Sequence, residues 1–155
     1  MDAAQALSEG GAFEAAVDAL TCKERTAAEL RDLLLGRGHE SAEVDGALER
    51  LEAIGELDDA RFARRYAEDK RELRGWGSER IRAALLERGV SAADVEEALA
   101  DIGAEEEVEL AVGLLRDRGA NLADPAERQR ALGLLIRRGY DSEVAYEAIR
   151  RARRG

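Results

Sequence analysis

The stretch LLERGVSAADVEEAL, residues 85–99, has a near copy at 34–48, LLGRGHESAEVDGAL, and a looser one at 135–149, LIRRGYDSEVAYEAI. With Gly38, Gly89 and Gly139 as anchors, the copies lie 51 and 50 residues apart. An arginine precedes each glycine (Arg37, Arg88, Arg138), and before it stand Leu34/Leu35, Leu85/Leu86 or Leu135/Ile136. Leu48, Leu99 or Ile149 follows ten residues on. A fixed period of this size marks stacked supersecondary units.

One unit can be read from its own chemistry. Leu30, Leu33 and Leu34 follow the i, i+3, i+4 spacing of an apolar helical stripe, as do Ile81, Ala84 and Leu85. TAAE opens the first of these helices with a capping box, Thr26 with Glu29. The anchor glycine closes it, because glycine enters the left-handed cap conformation without strain. Ser91 and Asp94 open the next helix, whose Val95, Ala98, Leu99 and Ile102 should face inward.

A third helix precedes each pair. In the first unit it spans about 12–22, with Phe13, Val17 and Leu20 inward. In the second it is DDARFARRYAEDKREL, capped by Asp58, with Leu57 stapled onto Phe62. In the third it runs over about 104–118 and ends at Gly119. DPAE at 124–127 then gives Asp124 as cap, Pro125 at the first helical position and Glu127 closing a box. The expected fold is all-α, an elongated, curved array of three tandem three-helix modules with about nine helices and no strand. The module bounds are 12–56, 57–102 and 103–155, after a flexible N-terminus at 1–11.

Composition agrees. Of 155 residues, 45% are hydrophobic but only 4% aromatic, and there is one proline, which suits a Leu/Ala-rich helical core. No apolar run could span a bilayer and no leader opens the chain, so a soluble cytoplasmic protein is expected. Cys22 and His39 are the only residues of their kinds, which excludes an internal disulfide and a Cys/His zinc site. Cys22 reads as a small buried filler near a helix end. His39 sits where its counterparts are Val90 and Tyr140, so packing against the preceding helix is the expected role. Asp58 and Asp59 form the one neat carboxylate pair, and helix capping accounts for it. No phosphate loop, nucleophile elbow or cofactor motif appears, so neither an enzyme nor a cofactor is expected.

The net charge is −10, yet it is unevenly spread. Residues 60–90 carry nine basic against five acidic side chains, and 128–155 carry eight against three. These zones recur in repeat register, so stacking could place them on one side. Arg61, Arg64, Arg65, Lys70, Arg71, Arg74, Arg80, Arg82 and Arg88 make up the first zone. Arg137, Arg138, Arg150 and Arg151 are the main candidates of the second. Together they read as a surface for an anionic partner, against the alternative of a solvated helix face with pairs such as Arg64 and Glu68. Trp76, between two glycines, suits either covering a helix end or stacking on a base.

ERTAAELRDLLLGRG, ALERLEAIGELDDARFARRY and the glycines before ERIRAALLERGV resemble the RecX family of bacterial recombination regulators, and LLIRRGYDSEVAYEAIRR is similar to that family's closing repeat. The likeness runs over about residues 12–154. It implies tandem three-helix modules, as the period does independently. It further implies a monomer that binds the RecA recombinase, as its filament on single-stranded DNA. Family members inhibit ATP hydrolysis, strand exchange and co-protease activity, and so modulate recombination, DNA repair and the SOS response. AEEEVEL at 104–110 is acidic for a DNA-facing segment and shifts weight towards protein contact. Two other readings stand beside this one. A helical-repeat scaffold could bind another protein. A helix-turn-helix regulator could use 27–53, although that pair is acidic where a recognition helix should be basic.

Overall fold

The computed structural model describes residues 3–155, with side chains from residue 11 onwards. Within them lie nine helices and no strand. The first trio is α1 (Ala3–Cys22), α2 (Ala27–Gly36) and α3 (Ser41–Ala53). The second is α4 (Asp59–Arg74), α5 (Ser78–Glu87) and α6 (Ala92–Leu99). The third is α7 (Ala104–Asp117), α8 (Pro125–Arg138) and α9 (Ser142–Arg154). The stretch 1–11, expected to lie outside the modules, falls almost wholly outside the residues whose side chains are described.

Each trio closes over its own apolar cluster. Leu30, Leu34, Val44 and Leu51 centre the first, Phe62, Ile81, Leu85 and Val95 the second, and Ala111, Leu115, Leu135 and Ala145 the third. The sequence expectations fail at four places. Val17 is exposed, because α1 turns its alanines inward instead, with Ala12 and Ala16 fully buried. Cys22, on the last turn of α1, is exposed. Leu57 packs in the first cluster with Leu51, not on Phe62, since its amide bonds back to the Leu51 carbonyl at 3.2 Å. Glu127 accepts from the amide of Asn121 rather than from its own cap residue. His39 is half-buried, its ring beside Gly11, where Val90 and Tyr140 are fully buried.

The modules join through the ends of their second helices. A helix leaves its first amides without partners, and buried ones need acceptors. At the first junction Thr26, the one fully buried polar side chain among those described, accepts from the Glu29 amide at 3.1 Å. Its hydroxyl proton goes to the Arg88 carbonyl of the next module, 2.7 Å away. The Ala27 amide donates to Asp59 across the same boundary at 2.9 Å. At the second junction α5 has no side-chain cap of its own. Its Gly77 and Glu79 amides donate to the carbonyls of Arg138 (2.7 Å) and Gly139 (2.9 Å), and its Ser78 amide to Glu107 (2.7 Å). Buried Tyr140 adds a bond from its hydroxyl to the Gly75 carbonyl at 3.1 Å, and burial pushes that phenol up to about 12.

These contacts leave no room for a side chain. A Cβ on Gly89 would stand 2.3 Å from Ala28 Cβ, and one on Gly139 2.3 Å from Arg80 Cβ. Both glycines also have positive φ, as does Gly38, beside which nothing stands within 4 Å. Gly38→Ala should therefore cost only the left-handed backbone penalty, about 1–2 kcal/mol. Gly139→Ala should cost about 1–3 kcal/mol more through overpacking, read from urea unfolding midpoints. Equal losses would show that the junction yields freely.

A pH signature follows from Glu29. Burial pushes its carboxyl up, but hydrogen bonds from Arg88 and Thr26 outweigh this and hold it below the usual 4.5. A depressed folded-state value contributes stability that is complete above about pH 4.5 and lost as pH falls through the folded value. Urea unfolding from pH 6 to 3 should show the wild type ahead of Glu29→Gln at pH 6, with the gap closing in acid. A gap that stays constant would sever Glu29 from the acid response.

Candidate cationic surface at the second junction

The candidate cations fall into three settings. Arg82, Arg88, Arg150 and Arg151 are engaged by carboxylates. Arg82 donates to Glu79 and Glu96, both at 2.7 Å, and Arg150 reaches Glu147 at 2.8 Å. Arg151 donates to Glu147 at 2.9 Å and also pairs with Glu105, tying α9 to α7. Arg88 forms a two-pronged pair with Glu29, 2.9 Å on each prong, and lies over the Phe62 ring at 4.5 Å. Such forked pairs fix geometry as well as charge.

Arg61, Arg64, Arg65 and Arg71 form one wall of a cleft of about 700 Å³ between α4 and α7. Its other wall holds Glu106 and Glu109, with Asp101 below. Arg64 meets Glu97 at 3.6 Å rather than the expected Glu68, and Arg65 meets Glu24 at 3.5 Å. Arg61 donates to the Gly55 carbonyl at 3.1 Å. Half-buried Arg71 has its pKa lowered by burial, and its Nη2, like Arg61 Nε, is buried without a hydrogen-bond partner. This flank is of mixed sign.

The third setting joins the two basic zones. Lys70 and Arg80 from the second module meet Arg138 from the third beside Trp76, while Arg74 and Arg137 offer the junction their backbone carbonyls and the Arg137 side chain lies back against Gly133 on α8. Arg138 donates to the Arg74 carbonyl at 2.7 Å, and Arg80 lies 3.4 Å from the Arg137 carbonyl. The Arg80 guanidinium stands 4.0 Å from the centre of the Trp76 ring and the Lys70 ammonium 4.9 Å. Trp76 is half-buried against the second core, edge-on to Tyr66. It thus covers the core while holding two cations by their attraction to its face. Among the described residues neither these three cations nor Arg74 and Arg137 have an ion-pair partner. Leu73, next to Arg74 in the chain, is 78% exposed.

Sequence reasoning brought the zones near each other but did not separate the paired arginines from the unpaired. One signal was available. In repeat register Glu29 corresponds to Arg80, and Arg88 to Arg138. The carboxylate that neutralises the first junction is therefore an arginine at the second.

No group of His, Cys, Asp and Glu among the described residues could hold a metal, and no described helix is long and apolar enough to cross a membrane. Residues 12–51 match the model of the first three-helix domain of RecX and residues 58–99 that of the second. The regulatory protein RecX of Mycolicibacterium vanbaalenii is 34% identical over 139 residues, 84% of this chain and 76% of that protein. That of Deinococcus radiodurans is 39% identical over 135 residues, 85% of this chain and 63% of that protein. The crystal structure of RecX from Lactobacillus salivarius superposes with a TM-score of 0.86 at 19% identity, over 95% of this chain and 97% of that one. Sequence and fold agree: the chain belongs to the RecX family of regulatory proteins.

Proposed function

We propose that this chain, as a cytoplasmic monomer without a cofactor, binds the RecA recombinase and its filament on single-stranded DNA. Binding restrains ATP hydrolysis, strand exchange and co-protease activity, and so modulates DNA repair and the SOS response. Family membership supports the partner. The observation that carries the reading is the cluster of Lys70, Arg80 and Arg138, drawn from two modules and without ion-pair partners, with Arg74 and Arg137 next to it in the chain. Like charges gathered without neutralisation weaken the free protein, and an anionic partner relieves them. A net charge of −10 weighs against bare nucleic acid as the main partner and towards a contact confined to this cationic joint on a protein.

The test adds the protein to preformed filaments and follows ATP turnover at several salt concentrations. Turnover should fall, and less so at high salt. Unchanged turnover at large molar excess overturns the reading.

A single substitution separates function from stability. Arg80→Glu gives Arg138 the carboxylate that Glu29 gives Arg88. The unfolding midpoint should hold or rise, by up to about 1 kcal/mol for so exposed a pair. Inhibition of the filament should weaken by about tenfold or more, the scale of one lost charge contact with its sign reversed. Retained inhibition would remove the junction from the binding surface.

A further inference from the structure

Among the described residues, every hydrogen bond between the second and third modules lies at the joint around Gly77 and Gly139. No ion pair crosses the cleft of about 700 Å³ between α4 and α7. Its two walls nevertheless carry opposite charge. On α4, Arg61, Arg64, Arg65 and Arg71 outnumber Glu68 and Glu72, while the other side presents Asp101, Glu106 and Glu109 and no cation. We infer that the second and third modules close on this cleft like a jaw, pivoting on the joint and hinged at 100–103. Closure draws Glu106 and Glu109 onto the α4 arginines, and rising salt opens it.

Four observations carry this. The groups that closure would join lack partners now. Glu106 and Glu109 are exposed and, among the described residues, unpaired, while Arg71 Nη2 and Arg61 Nε are buried with no acceptor. A buried donor left unmatched costs free energy, so a conformation that supplies an acceptor is favoured. Second, the carboxylates that the α4 wall does hold are loose. Arg64 meets Glu97 at 3.6 Å and Arg65 meets Glu24 at 3.5 Å, on exposed side chains that exchange partners at little cost. Third, the walls already act on each other, since the charges of Glu107, Asp101 and Glu106 oppose the lowering that burial imposes on Arg71. Fourth, the connection between α6 and α7 is lightly held. Within 101–103 only the Ile102 amide bonds to backbone, to the Leu99 carbonyl at a long 3.4 Å. Gly103 opens α7 without a side-chain cap, and nothing stands within 4 Å of a Cβ placed on it. A short loop of this kind can absorb the dihedral change of a hinge. Closure would also cover Leu110, which is 40% exposed on the cleft wall. The inference concerns the chain alone and does not rest on the recombinase reading.

Dipolar coupling between two nitroxides tests it on the full chain, with Cys22→Ser removing the native thiol. The labels sit on Glu68→Cys and Leu110→Cys, which face each other from the two walls and include neither of the attracting carboxylates. The mean distance should be several ångström shorter at about 0.01 M salt than at about 1 M, where the screening length falls from about 30 to about 3 Å. Adding Glu106→Gln and Glu109→Gln should hold the longer distance at every salt concentration with an unchanged melting curve, since both side chains are exposed. Exchanging the signs, with Arg64→Glu and Arg65→Glu against Glu106→Arg and Glu109→Arg, should restore the salt-dependent shortening. A distance that ignores salt overturns the inference. So does shortening that survives the two glutamines, or a cleft that narrows as salt rises, which would mark apolar closure on Leu110 instead.

Discussion

The backbone amides at the start of α2 and α5 have to find acceptors, and the next module supplies all of them at α5 and one, Asp59 for the Ala27 amide, at α2, where the Thr26–Glu29 box serves the rest. A helix can satisfy these groups with its own cap, with water or with a neighbour. Here the neighbour is used, in part at α2 and wholly at α5, which makes the second module above all incomplete without the third. α5 is the clearer case, since the glycine at its cap position has no side chain and every acceptor comes from the third module. A unit of about fifty residues has a core of marginal size, and α5 standing alone would also expose three unmatched amides. Stability is therefore shared along the array.

The same construction decides where charge accumulates. Because Gly77 and Gly139 meet backbone to backbone, Arg80 and Arg138 are carried to the same joint. At the first junction the register position facing the arginine is Glu29, and the pair closes on itself over Phe62. At the second it is Arg80. Arg138 turns away to a carbonyl, and Arg80 turns to Trp76. One repeat architecture thus yields a neutral joint and a cationic one from the identity of a single residue. The neutral joint serves cohesion, and the cationic joint leaves its electrostatics unsatisfied for something outside the chain.

Much of the fold was legible because its determinants are local. The anchor glycines, the Thr26–Glu29 box and the caps at Asp58, Ser91 and Asp124 all act within a few residues of themselves. What stayed hidden lies where distant residues compete for the same position. α1 buries alanines because α3 approaches closely along its length, and that approach turns Val17 outward; no period in the α1 sequence announces it. Leu57 follows the first module because the turn after α3 folds it back. The arginines were hardest, since a long side chain can reach partners on several helices. Arg82 and Arg151 look like free surface cations in the sequence and are cross-helix clamps in the structure. Only the Glu29-to-Arg80 exchange could have been seen beforehand, by comparing the repeats position by position.

That comparison also accounts for the ends of the described array. The turn at Gly38 has the same left-handed geometry as its counterparts but no helix pressed against it. At the other end α8 begins about a turn earlier relative to its glycine than α2 and α5 do. That added turn is started by Pro125, which has no amide to satisfy, and capped by Asp124 from within its own module. The start of α8 is thus satisfied from within its own module. Its first turn lines a groove with α9, and Tyr146, like its register counterparts Asp45 and Glu96, faces solvent.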